Sequence, residues 1–524
     1  MKKRSVSMLA FVSVLCILLS FSSCGRQSKY GQGFRFPLSS EPLQLDPQVA
    51  TDTASIEILS ATMEGLFILD DQEQVVPALA KEYTVSEDGK TYRFTLRPDA
   101  HWSDETSLTA EDFVFAWRRV VDPLTHSSHT ALFKNIQGAS AIIAGKAEPD
   151  TLGVKAVDEQ TLEVTLIKPD ENFLQTLTKL PFVPCSEAFF QKTVGRYGME
   201  PEYVISSGAF VVKTWSHGEY VILEKNEQYY EKEQVLPSRV RYVIKYTEDE
   251  LALLEDEGLQ AAPIKNGQIK KAEKKGMQVI AYEDSLCSLW MNTQEMPLSQ
   301  RLVLRECLNR ETIEESLQKN ALKVAAGLTP LATEFNGKSY REQVGEVKEK
   351  NTYSLAQCKK IAKGMDTYTL LCSDEEEEVL LAQDILQSWQ KQLEVYFRLE
   401  TLPKDEVKEA VSSGDYTLAI CSQMPEGETV ADALSVFTSK SNQNLAKVTD
   451  KEFDAFFKKA EEKGDLQTWK KAEQLVWKIC PCVPLTYEAR TFAVGKGVDG
   501  IKIRPFNGGG GRAIYAFKQA TREE

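Results

Sequence analysis

The chain has 524 residues, too many for one ordinary hydrophobic core, so two or three domains are expected. Apolar residues make up 42% of it, enough for those cores. A formal net charge of -15 excludes a nucleic-acid binder, which needs a basic face, and disfavours a polybasic membrane-surface mode.

The segment MKKRSVSMLAFVSVLCILLSFSSC sets Lys2, Lys3 and Arg4 before an apolar run from Met8 to Phe21. The run is short for a spanning helix and has the form of a secretory signal over 1–23. Its end, LSFSSC, resembles the cleavage box of bacterial lipoproteins, with Phe21 where leucine is usual and Cys24 as the lipidated first residue. Residues 24–35 then form a tether, and acyl chains on Cys24 hold a soluble body against a membrane. The plainer alternative is an unlipidated signal. Losing three cations takes the charge from -15 to -18. Nothing after Cys24 is apolar enough to span a bilayer, so the body is expected in the periplasm or at the cell surface.

From Phe34 the chain reads as a strand running to a turn at LDP, and ASIEILSATMEGLFIL as a helix that passes into a strand. KTYRFTLRPDAHW alternates, with Tyr92, Phe94 and Leu96 on one face. SLTAEDFVFAWRRVVD is an amphipathic helix with Thr109 as N-cap and Asp112 three residues on. VKAVDEQTLEVTLI is a hairpin turning at DEQ. LAQDILQSWQKQLEVYFRLETL gives a helix then a strand, and EFDAFFKKAEEK and TWKKAEQLVWKI give helices. Irregular alternation of this kind predicts a mixed α/β class in several lobes. The acidic run DEEEE at 374–378 suits a cation, or a solvated helix start with Ser373 as cap and Glu376 completing the box.

Recognisable catalytic chemistry is missing. His126 and His129 stand three apart at a loop start with no identifiable partners, and no cysteine pair has zinc spacing near a histidine. CPC at 480–482 is not C-x-x-C and falls before a strand, VPLTY. There is no G-x-S-x-G elbow, no H-E-x-x-H and no Walker lysine. NGGGGR at 507–512 lacks the strand–loop–helix context of a phosphate cradle and is expected to be a flexible turn. Cysteines 185, 287, 307, 358, 372, 421, 480 and 482 can oxidise in an exported protein, in a connectivity that sequence leaves open. The expectation is a binder, not an enzyme, without cofactor or metal.

Several stretches also match a known family in order. They are SSEPLQLDP (39–47), MEGLF (63–67), VSEDGKTYRFTLRPDAHWSDETSLTAEDFVFAWRRVVDP (85–123) and IAGKAEPDTLGVKAVDEQTLEVTL (143–166). SSGAFVVKTWSHGEYVILEKNEQYY (206–230), LWMNTQEMPLSQRLVLRECLNRETI (289–313), EFDAFFKKA and VPLTYEARTFAV continue the match. In these the chain resembles the periplasmic oligopeptide-binding proteins that serve ABC peptide importers, within extracellular solute-binding protein family 5. One departure stands in the signature: Glu105 replaces the usual glycine, at a turn where positive φ would strain it.

The resemblance implies a periplasmic-binding-protein-like fold, two lobes joined by hinge strands plus an extra domain, closing like a flytrap over an extended peptide. Lobe I would comprise 27–62, 187–286 and 492–524, domain II 63–186, and lobe III 287–491. It implies a monomer that passes peptides to ABC permease subunits. Main-chain pairing would involve Ala50, Thr51 and Asp52, with His129 in place of a tyrosine. The carboxylate that holds the peptide ammonium falls at Glu426, its aromatic surroundings becoming Gln423 and Met424. Lys404 stands where a tryptophan lines a pocket, and two cations that read the peptide carboxylate fall at Ile420 and Glu376. The family disulfide keeps Cys287, but its partner position is Met424, which leaves Cys421 as substitute. Loss of both cations implies a shifted ligand preference: a cationic peptide, a cell-wall peptide or a non-peptide solute. The alternative is a surface interaction protein that kept the fold.

Overall fold

The computed structural model describes residues 33–522, apart from 39, 71–73, 246–249, 310, 312, 314–322, 348–350 and 507–512. The leader, Cys24 and the NGGGGR turn therefore lie outside the described residues. The segment expected as lobe I opens with β1 (Phe34–Leu38), whose apolar residues alternate inward, and α1 (Thr53–Thr62).

The segment expected as domain II follows with β2 (Ala80–Val85) and β3 (Thr91–Leu96). In β3, Tyr92, Phe94 and Leu96 are buried and Arg93 is exposed, the period-two pattern legible in the sequence. α2 (Ala110–Val121) buries Phe113, Val114, Trp117, Val120 and Val121. Its start is fixed as expected: the Asp112 carboxylate accepts the Thr109 N–H at 2.8 Å and the Trp102 indole at 3.2 Å. Burial raises the Asp112 pKa to about 6 against those lowering bonds. β4 (Val154–Asp158) and β5 (Thr161–Thr165) form the hairpin turning at DEQ, and the sheet order is β2-β3-β5-β4, antiparallel throughout.

The chain returns to lobe I with β6 (Phe210–Ser216), β7 (Tyr220–Lys225) and β8 (Arg239–Ile244), giving a sheet of order β1-β8-β7-β6. One continuous apolar core runs through lobe I and domain II, from Phe34 and Ile58 to Trp117, Phe182 and Phe517. Arg119 on α2 clamps the two, at 2.5 Å from Asp46 and 3.0 Å from Gln48.

After β9 (Ala261–Ile264), β10 (Gln278–Met291) carries the chain into lobe III. There follow α3 (Leu298–Glu306), α4 (Leu355–Ala362), β11 (Thr369–Ser373), α5 (Glu376–Leu393), β12 (Arg398–Leu402), α6 (Lys404–Ser413) and β13 (Leu418–Gln423). α7 (Lys451–Lys463) and α8 (Leu466–Ile479) precede β14 (Cys482–Val494), which runs back beside β10. The order is β9-β14-β10-β13-β11-β12, with β13 and β12 each parallel to β11. Two cores cover opposite faces of this sheet, one with Leu289, Ile385 and Trp389, the other with Trp290, Phe437 and Trp477.

β10 and β14 are the longest strands described, 14 and 13 residues. Their register slips between Tyr282 and Ser285, and the fully buried Asp284 side chain sits in that break. It accepts from Arg490 Nε at 2.8 Å and from the Phe506 N–H at 2.9 Å. Among the described residues no helix is long and apolar enough to cross a membrane.

One expectation needs adjustment. Ser373 is not the helix cap: α5 starts at Glu376 after Glu375, and the carboxylate that folds back onto the Ser373 N–H is Glu378, at 2.9 Å. The strand runs through Ser373, further than the acidic pattern suggested, and no capping box forms at the start of α5. Glu105 adopts φ 72°, so the turn keeps the glycine conformation without the glycine.

Candidate functional site

The parallel strands β11, β12 and β13 end side by side, and in open α/β sheets ligands gather at that edge. Each strand delivers charged or polar groups there within a few residues of its end. β11 leads into Glu375 and Glu378, β12 into Lys404, and β13 into Ser422 and Gln423. Glu488 joins them from β14, lying on the same face as Ser285, Cys287 and Ser422 by the antiparallel register.

The charges interact. Lys404 Nζ is 3.1 Å from Glu375 Oε2, with both side chains about half exposed. Burial opposes the Lys404 charge, but the bond to Glu375 and the charges of Glu375, Glu488 and Glu378 outweigh it and raise the pKa. Burial also raises the Glu488 pKa; Ser422 and Lys404 pull it down, while Glu378 and Glu375 push it up. Three carboxylates thus share this edge with Lys404. Glu375 and Glu378 belong to the acidic run weighed above as a cation site or a helix start, whereas Glu488 carries no local signal in the sequence. The strand–helix–strand–helix–strand order from Thr369 to Gln423 was the signal for a parallel edge.

The other lobe III residues divide. Gln423 donates to the Gln443 carbonyl at 2.6 Å, and Gln443 returns a bond to the Met424 carbonyl at 3.4 Å, which fixes the loop after β13. Glu426 is exposed on that loop and makes no hydrogen bond or ion pair among the described residues. Ile420 is fully enclosed in the core, so nothing at that position faces a ligand, and Glu376 is exposed in the first turn of α5.

On lobe I, the structure brings Ala50 and His129 together. His129 Nε2 is 2.9 Å from the Ala50 carbonyl, so this nitrogen carries the proton. Burial lowers the His129 pKa against the raising effect of that bond and favours the neutral ring. The Ala50 N–H donates to the Asp46 carbonyl at 2.9 Å. Asp52 caps α1, its carboxylate accepting from Ser55 N at 2.8 Å and its carbonyl from Ile56 N at 3.0 Å. Thr51, exposed, is therefore the residue of the three whose N–H and carbonyl are both left without a bond among the described residues. His126 is exposed at φ 54° and His129 turns to Ala50, so the two do not converge on a metal.

The implied Cys287–Cys421 disulfide is not formed, and the sheet explains why. Cys287 lies opposite Ser422, and Cys421 opposite Ser288. Side chains alternate across a strand, so the two sulfurs belong to opposite faces and to different cores. The described cysteines are free thiols.

Residues 74–445 match the family described as bacterial extracellular solute-binding proteins, family 5 Middle. The chain belongs to this family. The dipeptide-binding protein DppE of Bacillus subtilis is 26% identical over 492 residues, covering 89% of this chain and 88% of the relative. The oligopeptide-binding protein OppA of Bacillus subtilis is 25% identical, covering 97% and 98%. Among solved structures, the substrate-binding domain of an oligopeptide ABC transporter from Bacillus anthracis superposes with TM-score 0.72 at 27% identity, over 95% of this chain and all of that one. The pheromone receptor PrgZ, solved for its mode of peptide binding, gives 0.72 at 26%, over 94% and 100%. Family-5 members are binding proteins with a two-lobed α/β architecture, so the chain is a solute binder and not an enzyme.

Proposed function

We propose that this chain captures peptides between its lobes and delivers them, as a monomer, to an ABC importer. In this reading Cys24 carries a lipid that tethers the body to the membrane, and the body divides as the sequence resemblance implies, with β10 and β14 as hinges. The support comes from family membership, the named peptide-binding relatives and the hinge geometry. Thr51 supplies the lobe I main-chain contact, and Glu426 accepts the peptide ammonium. A charge-assisted bond of that kind contributes about 1.5–3 kcal/mol.

The ligand preference is shifted toward cationic peptides. The observation that carries this is the edge of β11, β12 and β13, where Glu375, Glu378 and Glu488 surround Lys404 and the two expected cations are a buried isoleucine and a glutamate. Such an edge repels a peptide carboxylate and attracts a lysine or arginine side chain. Calorimetry with tripeptides carrying Lys, Ala or Glu, each free and C-amidated, tests it. Expected are tightest binding for Lys, little loss on amidation, and severe loss on N-acetylation. A strong preference for free carboxylates overturns the charge reading, and equal binding of acetylated peptides removes Glu426 from its role. Mass spectrometry of ligand co-purified with the protein tests peptide capture itself.

A further inference from the structure

The loop that carries Glu426 is anchored on both sides. Before it, the Gln423 side chain donates to the Gln443 carbonyl at 2.6 Å, and Gln443 donates to the Met424 carbonyl at 3.4 Å. After it, the Glu428 carbonyl accepts the Glu334 N–H at 2.6 Å, and Glu334 forms a parallel bridge with Thr429. Thr429 then opens a capping box with Asp432, whose carboxylate accepts the Thr429 hydroxyl at 2.6 Å and its N–H at 3.1 Å. Gly427 lies so close to that carboxylate that a Cβ there would stand 2.4 Å from one oxygen. Glu426 therefore sits between two fixed points, and one of them belongs to a segment far earlier in the chain.

That segment is itself braced. The N–H of Ala332 donates to the Glu283 carbonyl at 2.9 Å, that of Thr333 to the Pro330 carbonyl at 3.2 Å, and that of Glu334 to Glu428. Glu334–Phe335 and Lys338–Ser339 pair as a hairpin that turns at Asn336 and Gly337, left-handed at φ 53° and 69°. The Gln343 side chain holds this hairpin by donating to the carbonyls of Phe335 at 3.0 Å and Lys338 at 3.1 Å. Two residues before Gln343, the buried Arg341 meets the buried Glu473 at 2.6 Å, which roots the hairpin in the lobe III core. At the other end Lys323 forms an ion pair with Glu283, which lies inside the register break between Tyr282 and Ser285.

Ala332 and Glu334 are two residues apart, an extended span of roughly 7 Å. The break in β10 and the Glu426 loop are thus joined by one short piece of backbone that is bonded to both. A surface hairpin is ordinarily a connection between elements, but one with main-chain bonds to a strand break and to a binding loop can set their spacing. We propose that Ala332–Glu334 is a strut and Glu334 a positioning residue, whose N–H holds Glu426 at a fixed offset from the β10 break. The inference rests on the reading of Glu426 as acceptor of the peptide ammonium. Recognition of the ligand's amino end then depends on a residue outside the loop that carries the carboxylate.

Glu334→Pro removes the N–H, and Glu334→Gln keeps it. Three quantities are measured: the Kd ratio of an N-acetylated to a free tripeptide, the preference for a lysine over an alanine tripeptide, and amide hydrogen exchange at Thr429 and Asp432 without ligand. Glu334→Pro is expected to lower the ratio about tenfold, the size of one charge-assisted bond. It should keep the lysine preference and speed exchange at both amides, while Glu334→Gln matches the wild type throughout. Gln343→Leu, which removes the brace but no backbone group, should lower the ratio severalfold, and it decides the matter if proline unfolds the hairpin. An unchanged ratio in Glu334→Pro and Gln343→Leu overturns the proposal, as does an equal fall in Glu334→Gln. Equal binding of acetylated and free peptides by the wild type removes the role of Glu426 instead. Exchange then still tests the strut, and rates at Thr429 and Asp432 left unchanged by Glu334→Pro overturn it.

Discussion

On lobe I, the residues expected to meet a ligand are bonded to each other. His129 holds the Ala50 carbonyl, Asp52 caps α1, and Thr51 alone presents both backbone groups outward. On lobe III the corresponding surface is made of side-chain charge, with Glu375, Glu378, Glu488 and Lys404 at one sheet edge. On the proposed reading the first wall pairs with peptide backbone, the second reads side-chain charge, and specificity is expected to come from lobe III.

The lobes also stabilise a buried carboxylate differently. In lobe III, Glu473 is met by Arg341 at 2.6 Å, the Leu328 N–H at 2.8 Å and the Tyr340 hydroxyl at 3.2 Å. In lobe I, Glu57 is held by neutral donors: the N–H groups of Ile514 at 2.6 Å and Tyr515 at 3.1 Å and the Tyr242 hydroxyl at 3.2 Å. Burial dominates and lifts its pKa to about 7, although those bonds and the Arg504 charge act to lower it.

The largest effect is expected from Arg341→Met. Leaving Glu473 buried and unpaired should cost about 3–5 kcal/mol, read as a lower denaturant midpoint; a loss near zero would show that lobe III does not depend on this pair. Glu57 should reveal itself through pH. Its folded pKa lies above the unfolded value, so its stabilising contribution is complete below the unfolded pKa and is lost as pH rises through about 7. Glu57→Gln should flatten the stability profile between pH 5 and 8 by on the order of 2 kcal/mol, with unfolding curves across that range as the check. Next in size is Glu488→Gln, which should weaken a lysine-containing tripeptide by about tenfold, or 1.4 kcal/mol, and leave an alanine tripeptide unchanged. Equal losses for both would place the discrimination elsewhere. The smallest expected change is Glu105→Gly, which relieves a left-handed residue and should shift stability by less than about 1 kcal/mol without altering any affinity.

Much of the scaffold was legible because its signals are local. The alternation in β3, the Thr109–Asp112 box and the DEQ turn each depend on residues within a few positions of one another. The misreadings came where a contact spans strands. Ser373 and Glu378 could be paired only once the end of β11 was known. Cys287 and Cys421 looked like bridge partners until register put them on opposite faces. Glu488 lies more than a hundred residues after Glu375 and meets Lys404 only because β14 runs beside β10.

Sequence by itself determined the mixed α/β class, most helices and strands, the export leader as an expectation, and the family resemblance. It also placed Glu426 on a loop after a strand. Tertiary structure decided which backbone groups of Ala50–Asp52 are already bonded, which carboxylates gather around Lys404, and that Cys287 and Cys421 lie on opposite faces of the sheet. The physical reason is range. Helix caps, turns and amphipathic faces are fixed by residues three or four apart, whereas the charge of a wall and the pairing of two sulfurs depend on strand register and helix docking.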